Sequence, residues 1–200
     1  VTEAFLHLTH DAYKRVCGDE FGQTIPGSFQ DEAEIGPAGG SWAVNYTPAL
    51  LTEFLKRRGY DLKTELPSLL IEKGDFRRVR HDFYLTCLEL FIENWAKPYS
   101  QYCEANNLIF TGHYWEHDWP VPRNNPDSLA LNAYAHQPGI DILMNNWSSS
   151  PQAQFGNSRA VREIRSLANQ LGRQRTLSET YGASGWDLTF FDQKRIGDWE

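Results

Sequence analysis

Residues 175–182 read RTLSETYG, and this segment decides the fold. It follows a helix-like segment that ends at Gly172, is apolar for a few residues, and then places Glu179 where a short strand would end. Three earlier segments repeat this layout, each a short apolar strand that turns polar or aromatic at its carboxyl end: residues 25–32 (IPGSFQDE), 108–116 (LIFTGHYWE) and 139–147 (GIDILMNNW). We therefore predict four strands, at residues 24–29, 108–111, 140–144 and within 175–182.

Helical patterns separate the predicted strands. Apolar residues at helical spacing predict a first helix over residues 2–16, with Gly18 as its stop. Thr47 and Pro48 mark the start of the next helix, which ends at Gly59. The later helices have these signals: a start at Asp75, a kink or restart at Pro98, an N-cap at Asn157 and an N-cap at Asp187.

Strand and helix alternate along the chain, and short, wholly apolar strands in this order are typical of a parallel sheet covered by helices. Right-handed crossovers place the carboxyl ends of all four strands on one edge. In open α/β sheets and in barrels, that edge holds the active site. Residues 30–32, 113–116 and 145–147 would therefore share one face with Glu179.

The sequence favours a barrel over an open sheet, because no glycine-rich phosphate loop of the G-x-G-x-x-G or G-x-x-x-x-G-K type follows any predicted strand. We predict an α/β fold of the (β/α)8 TIM-barrel class. Closure of such a barrel takes eight strands and about 250 residues, so four strands form only a partial barrel. Residues 1–200 are expected to be a single segment of a catalytic TIM barrel, incomplete at both ends, with further segments or domains completing it.

Composition excludes several classes of protein. The net charge is −7 and Lys and Arg form no extended run, which argues against a nucleic-acid partner. No stretch of about 18 apolar residues is present, so we expect no membrane-spanning helix. Cys17, Cys87 and Cys103 are odd in number and lack metal-ligand spacing, so neither a disulfide framework nor a thiolate zinc site is predicted. The cellular compartment stays open.

Two glutamates at corresponding strand ends suggest catalysis. Glu32 and Glu179 would face each other across a barrel mouth. Cleavage of a glycosidic bond needs such a pair, one carboxyl protonated to donate to the leaving oxygen and the other ionised as a nucleophile or base. The alternative for each glutamate is a structural ion pair with a cation at the rim. The residues expected to bind substrate around this pair are Asp31, His113, Trp115, Glu116, Asn146, Trp147 and Trp186.

A metal-dependent hydrolase is one alternative. His113, Glu116 and His117 spell H-x-x-E-H, which is typical of one zinc peptidase class. That chemistry needs both histidines one turn apart on a helix, whereas this pattern follows an apolar strand and is cut short by Pro120 and Pro122. We therefore favour sugar binding by His113 and Glu116.

Asp31, Asp141 and the tryptophans near the predicted strand ends each allow more than one interpretation. Asp31 either raises the pKa of Glu32 through its like charge or holds another loop. Asp141 lies within a predicted strand, so it is either buried and paired or faces the barrel interior. The tryptophans are also compatible with a barrel that binds sugar without catalysing a reaction, because indole rings stack on sugar faces.

The chain resembles the catalytic barrel of the clan-A glycoside hydrolases, especially the family 42 β-galactosidase and family 106 α-L-rhamnosidase types. The resemblance spans nearly all of the chain, from the third helix to the seventh of such a barrel. It rests on the order and spacing of three motifs: FQDE at residues 29–32, the helix of residues 47–61 followed by Leu66 and Pro67, and Ser178 with Glu179.

This resemblance implies an enzyme that releases a terminal sugar from a glycoside or polysaccharide side chain. Glu32 would be the fourth-strand acid/base and Glu179 the seventh-strand nucleophile. Asp31 stands where most clan-A members have an Asn that contacts the sugar 2-hydroxyl. Family 106 enzymes invert, and in that alternative Glu179 is a general base. Carbohydrate is the expected partner. No cofactor or metal ligand is assigned from the residues, although family 106 enzymes use calcium, and an oxygen-ligand Ca²⁺ site is compatible with the likeness.

Overall fold

A computed structural model of the chain describes residues 1–37, 43–143, 147–150, 153–156 and 158–200. The predicted N-cap Asn157 and the predicted substrate contact Asn146 lie outside these ranges. Among the described residues, no helix combines the length and the hydropathy that crossing a bilayer requires.

The strands and helices alternate in the predicted order. The strands are β1 Gly27–Gln30, β2 Ile109–Gly112, β3 Gln137–Ile142 and β4 Leu177–Thr180. The helices are α1 Thr2–Leu8, α2 His10–Cys17, α3 Leu50–Arg58, α4 Leu62–Leu70, α5 Phe76–Phe91, α6 Lys97–Ala105, α7 Ser128–Asn132, α8 Arg159–Gln170 and α9 Phe190–Trp199.

The four strands form one parallel sheet in the order β1-β2-β3-β4, so each strand pairs with its neighbour in sequence. Gly27 pairs with Ile109 in the first ladder, and Asp141 pairs with Glu179 in the last. β2 also approaches β4, which is not its neighbour, because the sheet curls into half a barrel. The predicted α/β fold with four parallel strands is confirmed, and these strands are half of the eight that a closed barrel needs.

The pleat of β3 separates a helix-facing side from a concave side. Ile140 and Ile142 are buried and pack against Ile164 of α8 and Ile196 of α9. Each such side chain contributes roughly 1.5 to 3 kcal/mol when it leaves water. Asp141 lies between the two isoleucines, and because side chains alternate along a strand it faces the concave side.

The outer helices pack on β2 in the same way. Phe110 of β2 is buried against Tyr99 and Cys103 of α6, with ring centroids of Phe110 and Tyr99 4.5 Å apart. Before α6, the chain leaves α5 through a π-helical turn at Ile92–Ala96, and Pro98 follows in the first turn of α6. The predicted distortion at Pro98 is therefore present, but it begins upstream of the proline, which lacks the N–H for a regular turn.

Several predicted boundaries were wrong. The first predicted helix is interrupted at Thr9, whose hydroxyl donates to Phe5 O at 2.7 Å. The second helix begins at Leu50, past the predicted start at Thr47 and Pro48, although it ends at Gly59 as predicted. Thr189, two residues after the predicted Asp187, caps α9. It forms a capping box with Asp192, which satisfies backbone N–H groups from both directions.

Candidate active site

His113 stands at the centre of a group of acids at the carboxyl end of the sheet. It follows β2 directly, and its side chain is completely buried. Its backbone N–H donates to Gln30 O of β1 at 3.1 Å, which ties the residue to the neighbouring strand. Its Nε2 atom donates to Glu179 Oε2 at 2.8 Å and lies 3.6 Å from Asp31 Oδ1. The imidazole therefore connects groups from the first and the last strand.

Asp141 and Glu32 complete this group. Asp141 is 2% exposed and pairs with Glu179 in the ladder between β3 and β4. One ligand-type atom each of Glu32, His113 and Asp141 lies within 4.8 Å of the other two, and the same holds for Asp31, His113 and Glu179. We call these five residues the strand-end cluster. The structure thus brings together Asp31, Glu32, His113 and Glu179, all predicted as site residues.

Two unusual backbone conformations hold the cluster in place. Gly112, just before His113, has a φ of +123°, and a Cβ atom there would lie 2.0 Å from Gln30 O of the adjacent strand. Only glycine allows β1 and β2 to approach so closely at this point. Glu32 has a φ of +47°, which residues other than glycine rarely adopt. Such strained positions are frequent at functional sites.

Burial and like charge raise the pKa of two acids in the cluster. Partial burial and the adjacent charge of Asp31 raise the pKa of Glu32 above its ordinary value. Burial raises the pKa of Asp141 to about 7, against the opposing effect of His113. For His113, burial lowers the pKa, but the hydrogen bond to Glu179 and the negative charges of Glu116, Asp141 and Glu179 together raise the pKa above its ordinary value. The cluster therefore holds protons near neutral pH.

Glu116, a predicted substrate contact, lies behind the cluster and is 4% exposed. Its Oε1 atom accepts a hydrogen bond from the Asp141 backbone N–H at 2.6 Å. Burial raises the pKa of Glu116 to about 7. The Glu116 carboxyl is therefore tied to the backbone of β3, and its role as a substrate contact stays a prediction.

The predicted aromatic contacts do not gather at one place. The Trp115 ring packs against His117 with centroids 4.6 Å apart. Trp147 contacts Phe155 at 5.1 Å and is 60% exposed, while Trp186 is fully exposed. The ring contacts of Trp147 are thus with the loop before α8 and with α9, and a substrate role for these three tryptophans stays a prediction.

The H-x-x-E-H pattern does not form the helical site that a zinc peptidase requires. His113 follows a strand and bonds to Glu179, whereas Glu116 lies in a 3-10 turn and bonds to the Asp141 N–H. Within the described residues, the groups of three ligand atoms close enough for one metal ion include neither Glu116 nor His117. The local chain path, a strand end followed by a turn, accounts for this difference.

Asp141 was not among the predicted site residues. Its signal in the sequence is an acid between two isoleucines in a strand, which places it on the face opposite to the core. Of the two alternatives, a buried and paired acid or one that faces the barrel interior, Asp141 is buried, but its Oδ1 atom has no hydrogen-bond partner among the described residues.

Cavity size alone does not mark the site. A cavity of about 990 Å³ lies among α4, α5 and the loop of residues 120–127, and is lined by Leu69, Tyr84 and Pro122 among others. None of the residues of the strand-end cluster lines it. It is an open groove on the outer helix layer, lined by apolar side chains and by Arg80, His81 and Asp127.

No protein-family model and no curated protein sequence matches the chain. Among solved structures, the chain is similar to a rhamnosidase from Novosphingobium sp. PP1Y, with a TM-score of 0.70 and 21% sequence identity. The match covers 98% of this chain and 18% of that chain. The chain therefore shares the fold of one part of that much longer protein.

Proposed function

We propose that this chain is part of a glycoside hydrolase that cleaves a terminal sugar from a glycoside or polysaccharide side chain with two carboxyl groups. The observation that carries the proposal is the convergence of Glu32 and Glu179 on His113 at the carboxyl end of a parallel half-barrel. The likeness in fold to part of a rhamnosidase supports the same reading. The finer assignment to a clan-A (β/α)8 barrel of the family 106 or family 42 type belongs to this proposal.

Glu32 is the proposed acid. An acid that donates to the leaving oxygen must keep its proton at the working pH. Burial and the charge of Asp31 raise the pKa of Glu32 in that direction. The proton of Glu32 passes to the glycosidic oxygen as the bond to the anomeric carbon breaks, so the leaving group departs as a neutral alcohol.

Glu179 is the proposed partner on the other side of the bond. His113 donates a hydrogen bond to Glu179 Oε2 at 2.8 Å, which orients the carboxyl and stabilises its negative charge. In a retaining enzyme Glu179 attacks the anomeric carbon, and in an inverting enzyme it takes a proton from the attacking water. Carboxyl groups about 5 to 5.5 Å apart indicate retention, and a separation of about 6.5 to 9.5 Å indicates inversion.

Further strands are proposed to complete the barrel around this site. Phe29 and Ile109 lie on the concave side of β1 and β2 and are 45% and 43% exposed. Additional segments of the same protein would cover them and supply the rest of the substrate site. In this proposal, residues 1–200 are one segment of a catalytic TIM barrel, and carbohydrate is the partner.

A calcium ion is compatible with the donor atoms of the strand-end cluster. Calcium prefers several carboxylate oxygens, and Asp31, Glu32, Asp141 and Glu179 each offer one near His113. Asp31 and Asp141 would hold the ion, because Glu32 must keep its proton and Glu179 must stay free to act on the sugar, and the His113 nitrogen, which donates to Glu179, would remain outside its coordination. A bound calcium ion would supply positive charge that orients sugar hydroxyls.

The experiment is release of nitrophenol from a panel of nitrophenyl glycosides by the full-length protein, including the α-L-rhamnoside and the β-D-galactoside. We expect one glycoside to be cleaved, and Glu32→Gln and Glu179→Gln to abolish most of that activity. Glu34→Gln is the matched control, because Glu34 is exposed in the same loop as Glu32. Binding of sugar without turnover of any glycoside would favour a non-catalytic sugar-binding barrel instead.

A further inference from the structure

Gln30, the last residue of β1, is a buried polar residue that the proposed reaction does not use. Its side chain is 6% exposed. Because side chains alternate along a strand, Gln30 lies on the same side of β1 as Ser28. The Ser28 hydroxyl is 2.7 Å from the Tyr99 hydroxyl of α6, so this side of the strand faces the helices. Gln30 therefore lies behind the strand-end cluster and does not contact a sugar bound there.

Gln30 binds the backbone of His113 twice. The His113 N–H donates to Gln30 O at 3.1 Å, and Gln30 Nε2 donates to His113 O at 3.0 Å. The first bond uses only the backbone, so any residue at position 30 would accept it. The second bond needs a side-chain donor of suitable length. Both backbone polar groups of His113 are thus bonded to one residue of the neighbouring strand.

Trp95 fixes the orientation of the Gln30 amide. The Trp95 Nε1–H donates to Gln30 Oε1. An indole N–H can only donate, so the amide atom that faces it must be the oxygen, and the NH2 group faces His113 O. Trp95 lies in the π-helical turn that follows α5, and its ring centroid is 5.4 Å from that of Tyr99. The Gln30 amide is therefore held at its oxygen as well as at its nitrogen.

The position of His113 decides the hydrogen bond to Glu179. Gly112 precedes His113 with a φ of +123°, and because glycine has no Cβ atom it restrains the backbone less than any other residue. Contacts from outside the segment must therefore fix the histidine. His113 Nε2 donates to Glu179 Oε2 at 2.8 Å, and such a bond weakens steeply when its angle departs from the optimum. Trp95, Gln30, His113 and Glu179 thus form one chain of hydrogen bonds.

We propose that Gln30 is a positioning residue, which holds the His113 backbone so that the imidazole donates to Glu179. Gln30 acts through His113 and does not touch the substrate. Its effect on catalysis rests on the proposed function, whereas its effect on the hydrogen bond between His113 and Glu179 is present without catalysis.

The first measurement is proton NMR of the full-length protein labelled with 15N-histidine, at one fixed pH. The His113 Nε2–H is buried and bonded to a carboxylate, so it should give a downfield signal that exchanges slowly with water. His113→Phe identifies this signal by its loss. Gln30→Met keeps the length of the side chain and removes the amide, and we expect exchange about tenfold faster, because two buried groups lose their partner. Trp95→Phe leaves the amide in place but frees it, and should have a smaller effect in the same direction.

Gln137→Met is the matched control. Gln137 is the first residue of β3, at the opposite end of the sheet, and its Nε2 atom donates to Thr176 O at 3.1 Å. The control therefore removes the same kind of bond, from a side-chain amide to a backbone carbonyl, away from the strand-end cluster. The His113 signal and kcat should keep their parental values.

The second measurement is steady-state kinetics on the glycoside that the parent cleaves. Gln30→Met should lower kcat by about tenfold and leave KM nearly unchanged, because the loss falls on the orientation of Glu179. If Gln30 acts through His113, the same substitution in the His113→Phe background should not lower kcat further, since the two residues belong to one network. A general loss of packing would instead lower kcat by the same factor in both backgrounds.

Three results would overturn the proposal: no slowly exchanging His113 signal in the parent, an unchanged signal in Gln30→Met, or an equal loss of kcat in both backgrounds. Circular dichroism checks that each variant folds. If Gln30→Met does not fold, Trp95→Phe decides, and a parental His113 signal in that variant overturns the proposal.

The outcomes separate this proposal from the proposed function. Faster exchange of the His113 signal in Gln30→Met, in a protein that cleaves no glycoside, would reject the glycosidase and keep the role of Gln30 in holding His113. Cleavage of a glycoside, with the His113 signal unchanged in Gln30→Met, would reject the positioning role and keep the glycosidase.

Discussion

The molecule contains two clusters of acids, and their surroundings differ. On the outer helices, Arg57 bonds to Glu53, Glu89 and Glu93, and Arg58 bonds to Glu89 at 2.6 Å. We call these five residues the helix-surface cluster. Hydrogen bonds from the arginines lower the pKa of Glu93 and, against the opposing effect of burial, that of Glu89.

The strand-end cluster contains four acids and a single histidine, and neither arginine nor lysine. The described ion pairs of Asp31 and Glu179 are with one histidine, and the pKa values of Glu32, Asp141 and His113 are raised. An acid cluster that serves stability is neutralised by cations, as on the helices. Acids left with raised pKa values at the carboxyl end of a sheet indicate chemistry or ligand binding. The pairing of the carboxyls with cations, and not their number, therefore distinguishes a cluster that stabilises the fold from one that indicates chemistry or ligand binding.

The largest expected effect is on catalysis. Glu179→Gln keeps the size of the side chain and removes its charge, so kcat/KM on the cleaved nitrophenyl glycoside should fall by about 10²- to 10⁴-fold. Glu89→Gln makes the same change in the helix-surface cluster and should leave kcat/KM at the parental value. An equal loss of kcat/KM in both variants would show that the two clusters do not differ in function.

His113 should have the next largest effect, because it positions Glu179. His113→Phe removes a hydrogen bond to a charged group, a loss of about 1.5 to 3 kcal/mol, which corresponds to roughly a 10- to 150-fold lower kcat. The loss should fall on kcat more than on KM, and the pH profile should change. His81→Phe is the control, since His81 is 70% exposed and pairs with Asp82 outside the site. A parental pH profile for His113→Phe would contradict the positioning role.

Arg57→Ala should affect stability and leave catalysis unchanged. It leaves three glutamates on the helix surface without their shared partner, and we expect the free energy of unfolding to fall by about 1 to 3 kcal/mol. Urea denaturation measures this change. Activity of the folded variant should equal that of the parent, and a loss of kcat would show that the helix-surface cluster is not purely structural.

The last expected effect is a change in the pH dependence of stability at Glu116. Burial raises its pKa from 4.5 to about 7, so between these values the folded protein holds a proton that the unfolded chain releases. The contribution of Glu116 to stability is therefore full below pH 4.5 and is lost as the pH rises through about 7. Glu116→Gln cannot titrate, so the Tm of the variant relative to the parent should rise across this range. A constant difference in Tm would show that Glu116 is ionised in the folded protein throughout.

Much of the fold could be predicted from the sequence, because the spacing of apolar residues indicates strands and helices and glycine indicates where a helix ends. The four strands and the helix end at Gly59 were predicted correctly. Helix α4 was not predicted, because Pro67 lies within it and disguises a helix that Asp61 caps. The break at Thr9 was not predicted either, because the residues on both sides of it keep an apolar pattern at helical spacing. The helix is nevertheless interrupted at Thr9, whose hydroxyl donates to Phe5 O.

The site was predictable in part. Glu32, His113 and Glu179 stand at strand ends, so the parallel topology alone predicts that they meet. Asp141 requires the pleat and the ladder register as well, and Glu116 requires the path of the turn after β2, which carries its carboxyl behind β3.

The central claim is that Glu32 and Glu179 act on one sugar. A crystal structure of the full-length Glu179→Gln protein with its uncleaved glycoside tests this claim most directly. We predict that the glycosidic oxygen lies within hydrogen-bond distance of Glu32 and that the anomeric carbon lies between residues 32 and 179, next to His113. A glycoside bound elsewhere, or one that contacts only one of the two residues, would contradict the account.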